Sequence, residues 1–175
     1  DEAKSIAIAG VMGGAETEVS EQTVDVLIES ADFTAMSIRA TSRALNLHSP
    51  SSYRFERALD PAGVDWASQR CCELILEHCG GTLDAGMIEV GKSTWHTEPV
   101  VLRLSQIERI LGIKIDTTEI RSILIALGNA ESASTAESIT VIPPSWRRDL
   151  TRECDLLEEI ARIHGYEKIP EDVGV

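Results

Sequence analysis

The sequence predicts an α+β protein built as two small mixed domains, and three observations carry that expectation. Short apolar runs of strand length alternate with segments whose apolar residues recur every three to four positions, so neither an all-α nor an all-β pattern fits. The composition, 43% hydrophobic and 26% charged, is that of an ordinary folded domain and excludes a disordered tail, a collagen-like chain and a disulfide-stapled miniprotein. Periodic patterning also lapses over residues 91–99, which divides the 175 residues into domains spanning 1–92 and 93–175. A chain of this size can bury roughly 70% of its unfolded surface, so it needs no metal or disulfide staple. It opens at Asp1 in what reads as mid-strand, which leads us to expect a longer parent chain.

The first domain begins with an apolar strand, Lys4 to Ala9, running into Gly10-Val11-Met12-Gly13-Gly14, a turn rich in residues that tolerate positive φ. Val24 to Ser30 reads as a second strand, with Val26 and Ile28 on one face and Leu27 and Glu29 on the other. Thr34 to Leu47 is predicted as a helix. Pro61 to Cys79 is another, with Asp60 as cap, proline in its first turn and Gly80-Gly81 as its stop. Val64, Ala67, Cys71, Leu74 and Ile75 give that helix a stripe expected to be buried. Met87 to Val90 closes the domain as a strand.

The second domain opens with a strand from Val100 to Leu104, followed by a capping box from Ser105 to Glu108 and a short helix ending at Gly112. Ile120, Ile123, Leu124 and Leu127 place the next helix, which Gly128 stops. Asn129 to Ser138 reads as a polar loop, Ile139 to Ile142 as a strand, and Leu156 to His164 as a last helix ended by Gly165. Two short helices, a turn and a strand resemble a winged-helix, DNA-binding-like layout.

Charge limits what that layout can do. Sixteen basic residues against twenty-nine acidic ones give a net charge of −13, and residues 93–175 alone carry nine basic and fourteen acidic residues. Phosphate neutralisation supplies most nucleic-acid affinity. The chain is therefore not expected to hold DNA or RNA by itself, although it could touch RNA as part of something larger. No run approaches the ~18 apolar residues of a membrane span. The cysteines Cys71, Cys72, Cys79 and Cys154 form no CxxC pair, and the first three fall in a helical pattern where buried thiols behave as small hydrophobes. Reduced structural thiols in the cytoplasm are the expectation.

Some apparent motifs lack their structural context. Gly86, Gly91, Lys92 and Ser93 satisfy GxxxxGK[ST], but the intervening residues read as strand and nothing after them reads as the phosphate-holding helix. The Gly10–Gly14 turn is not GxGxxG. His48, His78, His96 and His164 are scattered and define no zinc site.

Three constellations remain. Glu29 ends an otherwise apolar strand, where a carboxylate is costly unless partnered. It is either a strand end reaching solvent or a helix cap, or else a buried acceptor awaiting a ligand. Asp149, Asp155, Glu158 and Glu159 gather around a helix start. Asp155 as N-cap and Glu158 paired with Arg162 explain part of that group, while hard oxygens so grouped also suit magnesium. Pro143-Pro144-Ser145-Trp146-Arg147-Arg148-Asp149 sets a rigid double proline between a strand and the acidic helix, with Trp146 as an aromatic anchor. Arg39, Arg43, Arg54 and Arg57 form the one markedly basic stretch, read either as a solvated face or as a path for RNA.

Taken in order, Gly10-Val11-Met12-Gly13-Gly14, Leu27-Ile28-Glu29-Ser30-Ala31, Tyr53-Arg54-Phe55-Glu56-Arg57, Pro144-Ser145-Trp146-Arg147 and Asp155-Leu156-Leu157-Glu158-Glu159 resemble the beta subunit of bacterial phenylalanyl-tRNA synthetase over essentially the whole chain. The resemblance implies the C-terminal part of the editing domain followed by the small α+β domain. It also implies a cytoplasmic enzyme of α2β2 form that joins phenylalanine to tRNA(Phe) with ATP and Mg2+, with no role for DNA or membrane. Synthesis belongs to the alpha subunit in that family, so ATP is not expected on this stretch.

By the same resemblance, editing hydrolyses tyrosine misattached to tRNA(Phe). Glu29 matches the glutamate that recognises the tyrosine hydroxyl, and Gly13 a glycine that admits the substrate close to the backbone. Ser49 and Ser51 stand where the family has a threonine and an alanine lining the pocket; with Pro50 between them they depart from its pattern. No general base is evident among these residues. Asp149, Asp155, Glu158 and Glu159 match positions assigned to a magnesium shared with the alpha subunit. Further pocket residues are expected upstream of Asp1, which would leave the isolated stretch inactive. The alternative is an assembly and tRNA-contact module of the same synthetase whose editing pocket is lost.

Overall fold

A computed structural model describes residues 2–91 and 96–170. The chain separates into two compact units, Asp1–Thr94 and Trp95–Val175. The expected boundary at 92/93, and Lys92 and Ser93 of the apparent phosphate loop, lie outside the described residues.

In the first unit the chain folds back through the glycine-rich turn into a minimal hairpin. β1 (Ala7–Ile8) pairs antiparallel with β2 (Met12–Gly13), Ala7 opposite Gly13 and Ile8 opposite Met12. Gly10 makes this turn possible: its φ is +68°, and a Cβ there would strike Ile38 and Phe33 at 2.7 and 2.8 Å. A 3₁₀ turn follows at Ala15–Thr17. The predicted strand Lys4 to Ala9 thus contracts to two residues. The predicted strands Val24 to Ser30 and Met87 to Val90 do not form. Val24, Leu27, Ile88 and Val90 are 90–98% exposed, because among the described residues no other segment pairs with them as a ladder of backbone partners.

Helices fare better. α1 (Ala35–Leu45) occupies its predicted place and stops where Asn46 turns left-handed at φ 51°. α2 (Pro50–Phe55) was not foreseen. Ser49 caps it, accepting from the Ser52 amide at 3.0 Å while the Ser52 hydroxyl accepts from the Ser49 amide at 2.9 Å. Pro50 sits at the first helical position, where its missing N–H costs nothing. Asp60 caps a 3₁₀ turn at Pro61–Gly63 that leads into α3 (Val64–Cys79). The stripe expected to bury α3 does not. No residue of α3 is buried, Cys71 and Cys79 are exposed, and Cys72 is half-buried. All four cysteines are free thiols, as expected, but their expected burial fails with the stripe. Among the described residues of this unit the buried apolar side chains are Val11 and Ile38, beside the edge-to-face pair Phe33 and Phe55 at 4.8 Å.

The second unit has a continuous core. β3 (Val100–Arg103), α4 (Ser105–Leu111), α5 (Thr117–Ala126), β4 (Ala130–Ser134), β5 (Ser138–Ile142) and α6 (Glu153–His164) follow one another, with a final 3₁₀ turn at Tyr166–Lys168. The sheet is antiparallel in order β3-β5-β4, pairing Leu102 with Ile139 and Val100 with Val141. β4 replaces the predicted polar loop. Its residues are small or polar and all exposed, so they carry no strand periodicity, and a register shift between Glu131 and Ala133 accommodates them. Leu102, Ile120, Leu124, Ile139, Leu156 and Ile160 are at most 1% exposed, each such burial contributing about 1.5–3 kcal/mol.

Two predicted caps move. Leu104, not Ser105, precedes α4, with no side-chain cap. α6 starts three residues before the predicted Leu156, with Arg152 at its N-cap, and Asp155 reaches back from the third helical position. Asp116, passed over in the sequence, caps α5 through the Thr118 amide at 2.8 Å. Among the described residues no helix is long and apolar enough to cross a membrane.

The contrast between the units is measurable. Leu156→Ala should lower the stability of the second unit by about 2–5 kcal/mol, whereas Ile88→Ala, at a 90% exposed position, should change stability by less than about 0.5 kcal/mol. Urea unfolding of residues 1–175 compares the two.

Candidate functional site

The first group of candidate residues surrounds the start of α2. Because α1 ends in a left-handed Asn46, the chain returns toward the hairpin. There the Ser42 hydroxyl donates to the Leu47 carbonyl at 2.6 Å and lies 3.2 Å from His48 Nδ1. Ser49 then does two jobs: its hydroxyl caps α2 and donates to the Val11 carbonyl at 2.5 Å. That bond ties α2 to the turn carrying Gly13, so Ser49 and the glycine-rich turn come together. The Ser49 hydroxyl thus has its proton and one lone pair committed to holding the fold, and keeps one lone pair open.

Glu29 and Ser51 are not gathered into an enclosed pocket here. Both are exposed, and no hydrogen bond or ion pair engages Glu29 among the described residues. Its expected strand being absent, Glu29 reaches solvent with both oxygens open among the described residues. The next residue anchors the segment, the Ser30 hydroxyl donating to the Val64 carbonyl at 2.9 Å. Gly13 has open space where a Cβ would stand, so substrate can approach the backbone there.

The second group is the acidic start of α6, and its organiser is Arg147, which residue order placed in a motif without giving it a role. Arg147 donates to both oxygens of Asp149, at 2.9 and 2.7 Å, and to Glu159 Oε2 at 2.9 Å. Arg162 donates to the same Glu159 oxygen at 2.8 Å. Arg162 therefore pairs with Glu159 three residues back, not with Glu158 as expected. The Arg147 and Arg162 guanidiniums hold the buried Glu159 carboxyl at about 2 and push Asp149, which chelates Arg147, below the ordinary carboxylate range. Burial raises Asp155, but the Thr151 and Arg152 amides and the Arg152 guanidinium outweigh it and hold the carboxyl at about 2. Glu153 joins α6 to β3 by accepting the Arg103 amide at 2.8 Å and chelating its guanidinium. An Arg-x-Asp step after two prolines was the available signal for the Arg147 hub.

This geometry bears on magnesium. Among the described residues no three acidic, histidine or cysteine side chains converge as a metal site. Asp149 and Glu159 face Arg147, and Asp155 is bound to backbone amides. Glu158, exposed on the next turn, is the one carboxylate of the four that no hydrogen bond or ion pair engages among the described residues. The four carboxylates thus do not fit a magnesium cage built from this chain alone.

Comparison with known proteins follows the same division. Residues 1–80 match the B3/4 domain and residues 100–166 the tRNA synthetase B5 domain. The chain is 50% identical over 172 residues to the phenylalanine–tRNA ligase beta subunit of Rhodopirellula baltica, covering 98% of this chain and 25% of that protein. It is 46% identical over 167 residues to that of Salinibacter ruber, covering 95% and 20%, and 42% identical over 170 residues to that of Staphylococcus saprophyticus, covering 97% and 21%. The chain thus spans a quarter or less of the length of these curated relatives.

The Arg147 network should respond to acid. Glu159 and Asp155 titrate lower folded than unfolded, so the stability they add is complete above their unfolded values near 4 and is lost as pH falls toward about 2. Glu159→Gln should flatten that part of the stability–pH curve. Arg147→Ala should cost about 1.5–3 kcal/mol at pH 7 by leaving Asp149 unpaired and Glu159 with Arg162 alone. Denaturation series between pH 2 and 7 check both.

Proposed function

The chain belongs to the family of the phenylalanine–tRNA ligase beta subunits, and on that premise we propose that it contributes hydrolytic editing of mischarged tyrosyl-tRNA(Phe) and assembly contacts to such a ligase in the cytoplasm. The observation that carries this reading is the match across both domains, in order, at 50% identity over 172 residues. Phenylalanine, ATP and the alpha subunit of an α2β2 tetramer belong to the whole enzyme in this proposal, and residues 1–175 alone are inactive.

Tyrosine is phenylalanine plus one hydroxyl, and an apolar synthetic pocket rejects such an addition only about 100-fold. A second site that requires the hydroxyl discriminates far better, because an acceptor desolvated without a donor is costly. The open oxygens of Glu29 suit that acceptor, and the open space at Gly13 suits close passage of the ester. In the proposed step, water adds to the ester carbonyl carbon, the ribose oxygen leaves and takes a proton, and free tyrosine and tRNA result. Glu29 supplies recognition, with positioned water and the ribose hydroxyls assisting proton transfer. Ser51 lines the approach, and Ser49 holds α2 against the glycine-rich turn.

For magnesium we retain only an ion shared with the alpha subunit. This chain would bring Glu158 first, with Asp149, Asp155 and Glu159 holding the helix start in shape, as one or two carboxylates commonly do beside waters. No chemical step is assigned to that ion.

The assembly-only alternative is favoured by one observation, the engagement of the Ser49 proton by the Val11 carbonyl and of one of its lone pairs by the Ser52 amide. Hydrolysis of tyrosyl-tRNA(Phe) by the full tetramer decides between the two. Under the editing reading the unmodified enzyme deacylates it, and Glu29→Ala loses at least tenfold in tyrosine discrimination, about 1.4 kcal/mol, with phenylalanylation unchanged. No hydrolysis by either enzyme leaves the assembly role. Glu158→Gln should raise the magnesium concentration needed for tetramer stability without changing the fold of the second unit.

A further inference from the structure

The basic stretch of the first unit stands apart from the rest of an acidic chain. Between Phe33 and Leu59 there are four arginines, Arg39, Arg43, Arg54 and Arg57, and a single carboxylate, Glu56, in a protein of net charge −13. Arg39 and Arg43 lie one turn apart on α1, so they share a face. Both are exposed, and among the described residues no carboxylate pairs with them. α1 and α2 pack against each other.

α2 and the residue pair that follows it add an aromatic element. Tyr53 is 60% exposed, and the Arg57 guanidinium lies over its ring at 3.6 Å from the centroid. The same guanidinium donates to the Tyr53 carbonyl and to Glu56, each at 2.7 Å, which fixes the stacked pair in place. Arg54 donates to the Pro50 carbonyl at 3.1 Å, folded along α2. The segment is anchored at its start by the Ser49 bond to Val11, beside the glycine-rich turn.

Exposed cations without anionic partners, next to a braced aromatic face, form the chemistry that holds single-stranded nucleic acid: the backbone follows the charge and a base stacks on the ring. An acidic peptide would use the arginines and has less use for the ring. We propose that α1, α2 and the Tyr53–Arg57 pair form a docking surface for a single-stranded RNA end, with Arg39 and Arg43 on phosphates and Tyr53 stacking a base. The proposal rests on the reading that a charged tRNA is delivered to the first unit, and it identifies the face that receives it.

The test uses the full-length subunit in its complex with the alpha subunit, and a short fluorescent single-stranded oligoribonucleotide as probe. Arg39→Ala with Arg43→Ala should reduce the slope of log affinity against log salt by about 1.4, near 0.7 for each phosphate no longer neutralised. Tyr53→Ala should weaken binding about 5- to 100-fold while Tyr53→Phe retains it. Circular dichroism confirms that the exposed substitutions leave the fold intact. Glu29→Ala should bind the probe normally. If tyrosyl-tRNA(Phe) hydrolysis is absent but these variants still bind more weakly, the editing reading falls and the surface stands. If hydrolysis is present and the variants keep the unmodified affinity and salt slope, the surface is overturned alone. Competition by polyglutamate as effective as that by RNA of equal charge, with Tyr53→Ala harmless, would also overturn it in favour of an acidic protein partner.

Discussion

A strand has no stability of its own: each extended residue exposes an N–H and a C=O that must find a partner, and in a sheet the partner is another strand. Nearly every difference between the two units follows from that constraint. In the second unit β5 is paired on both sides, by β3 and β4, and the sheet then supplies a face on which α4, α5 and α6 bury Ile107, Leu124 and Leu156. In the first unit the apolar segments around Val26 and Ile88 find no such partner among the described residues, where a two-residue hairpin closes instead. The helices still form, because a helix satisfies its backbone internally. Without a sheet beneath it, though, α3 leaves its apolar side chains half-buried or exposed.

Where packing is thin, hydrogen bonds hold the geometry. The Ser49 hydroxyl joins α2 to the glycine-rich turn, and the Ser30 hydroxyl joins the Glu29 segment to the start of α3. Both link segments far apart in sequence and lie next to candidate ligand-contacting residues. In the second unit charge does the comparable work on top of a formed core. Arg147 and Arg162 converge on a carboxylate that is only 7% exposed, and Glu153 satisfies the outward amide of Arg103 on an edge strand of the sheet. A carboxylate neutralised so fully is a brace. That is why a cluster with the residue types of a metal site has the geometry of an ion-pair network.

The two units therefore suit different parts of one proposed task. The first presents open groups, Glu29, Gly13 and the Arg39–Arg57 face, in a frame lightly packed within this chain. The second is a well-packed body in which Trp146, though exposed, lies over Gly128 so closely that a Cβ there would stand 3.2 Å from its ring, and whose acidic helix start is held by ion pairs. A recognition surface for a large, flexible polyanion can tolerate the first arrangement, and a fixed assembly element benefits from the second.

Local rules made much of this legible. The 3.6-residue spacing of Ile120, Ile123, Leu124 and Leu127, the glycine stops at 80, 112, 128 and 165, and the Asp60-Pro61 start all landed within a residue or two of the observed elements. Chemistry carried by residue order, from the glycine-rich turn to the α6 start, was also sufficient to indicate the family. What the sequence could not decide was pairing. Whether Val24–Ser30 becomes a strand, whether Ala130–Ser134 joins a sheet despite its polar composition, whether Arg162 chooses Glu158 or Glu159, and whether four carboxylates face a cation or an arginine all depend on which groups meet in space. Periodicity and capping are properties of neighbours along the chain, readable one turn at a time. Partnership is set by distant residues competing for the same backbone groups and charges, and only the tertiary structure decides among them.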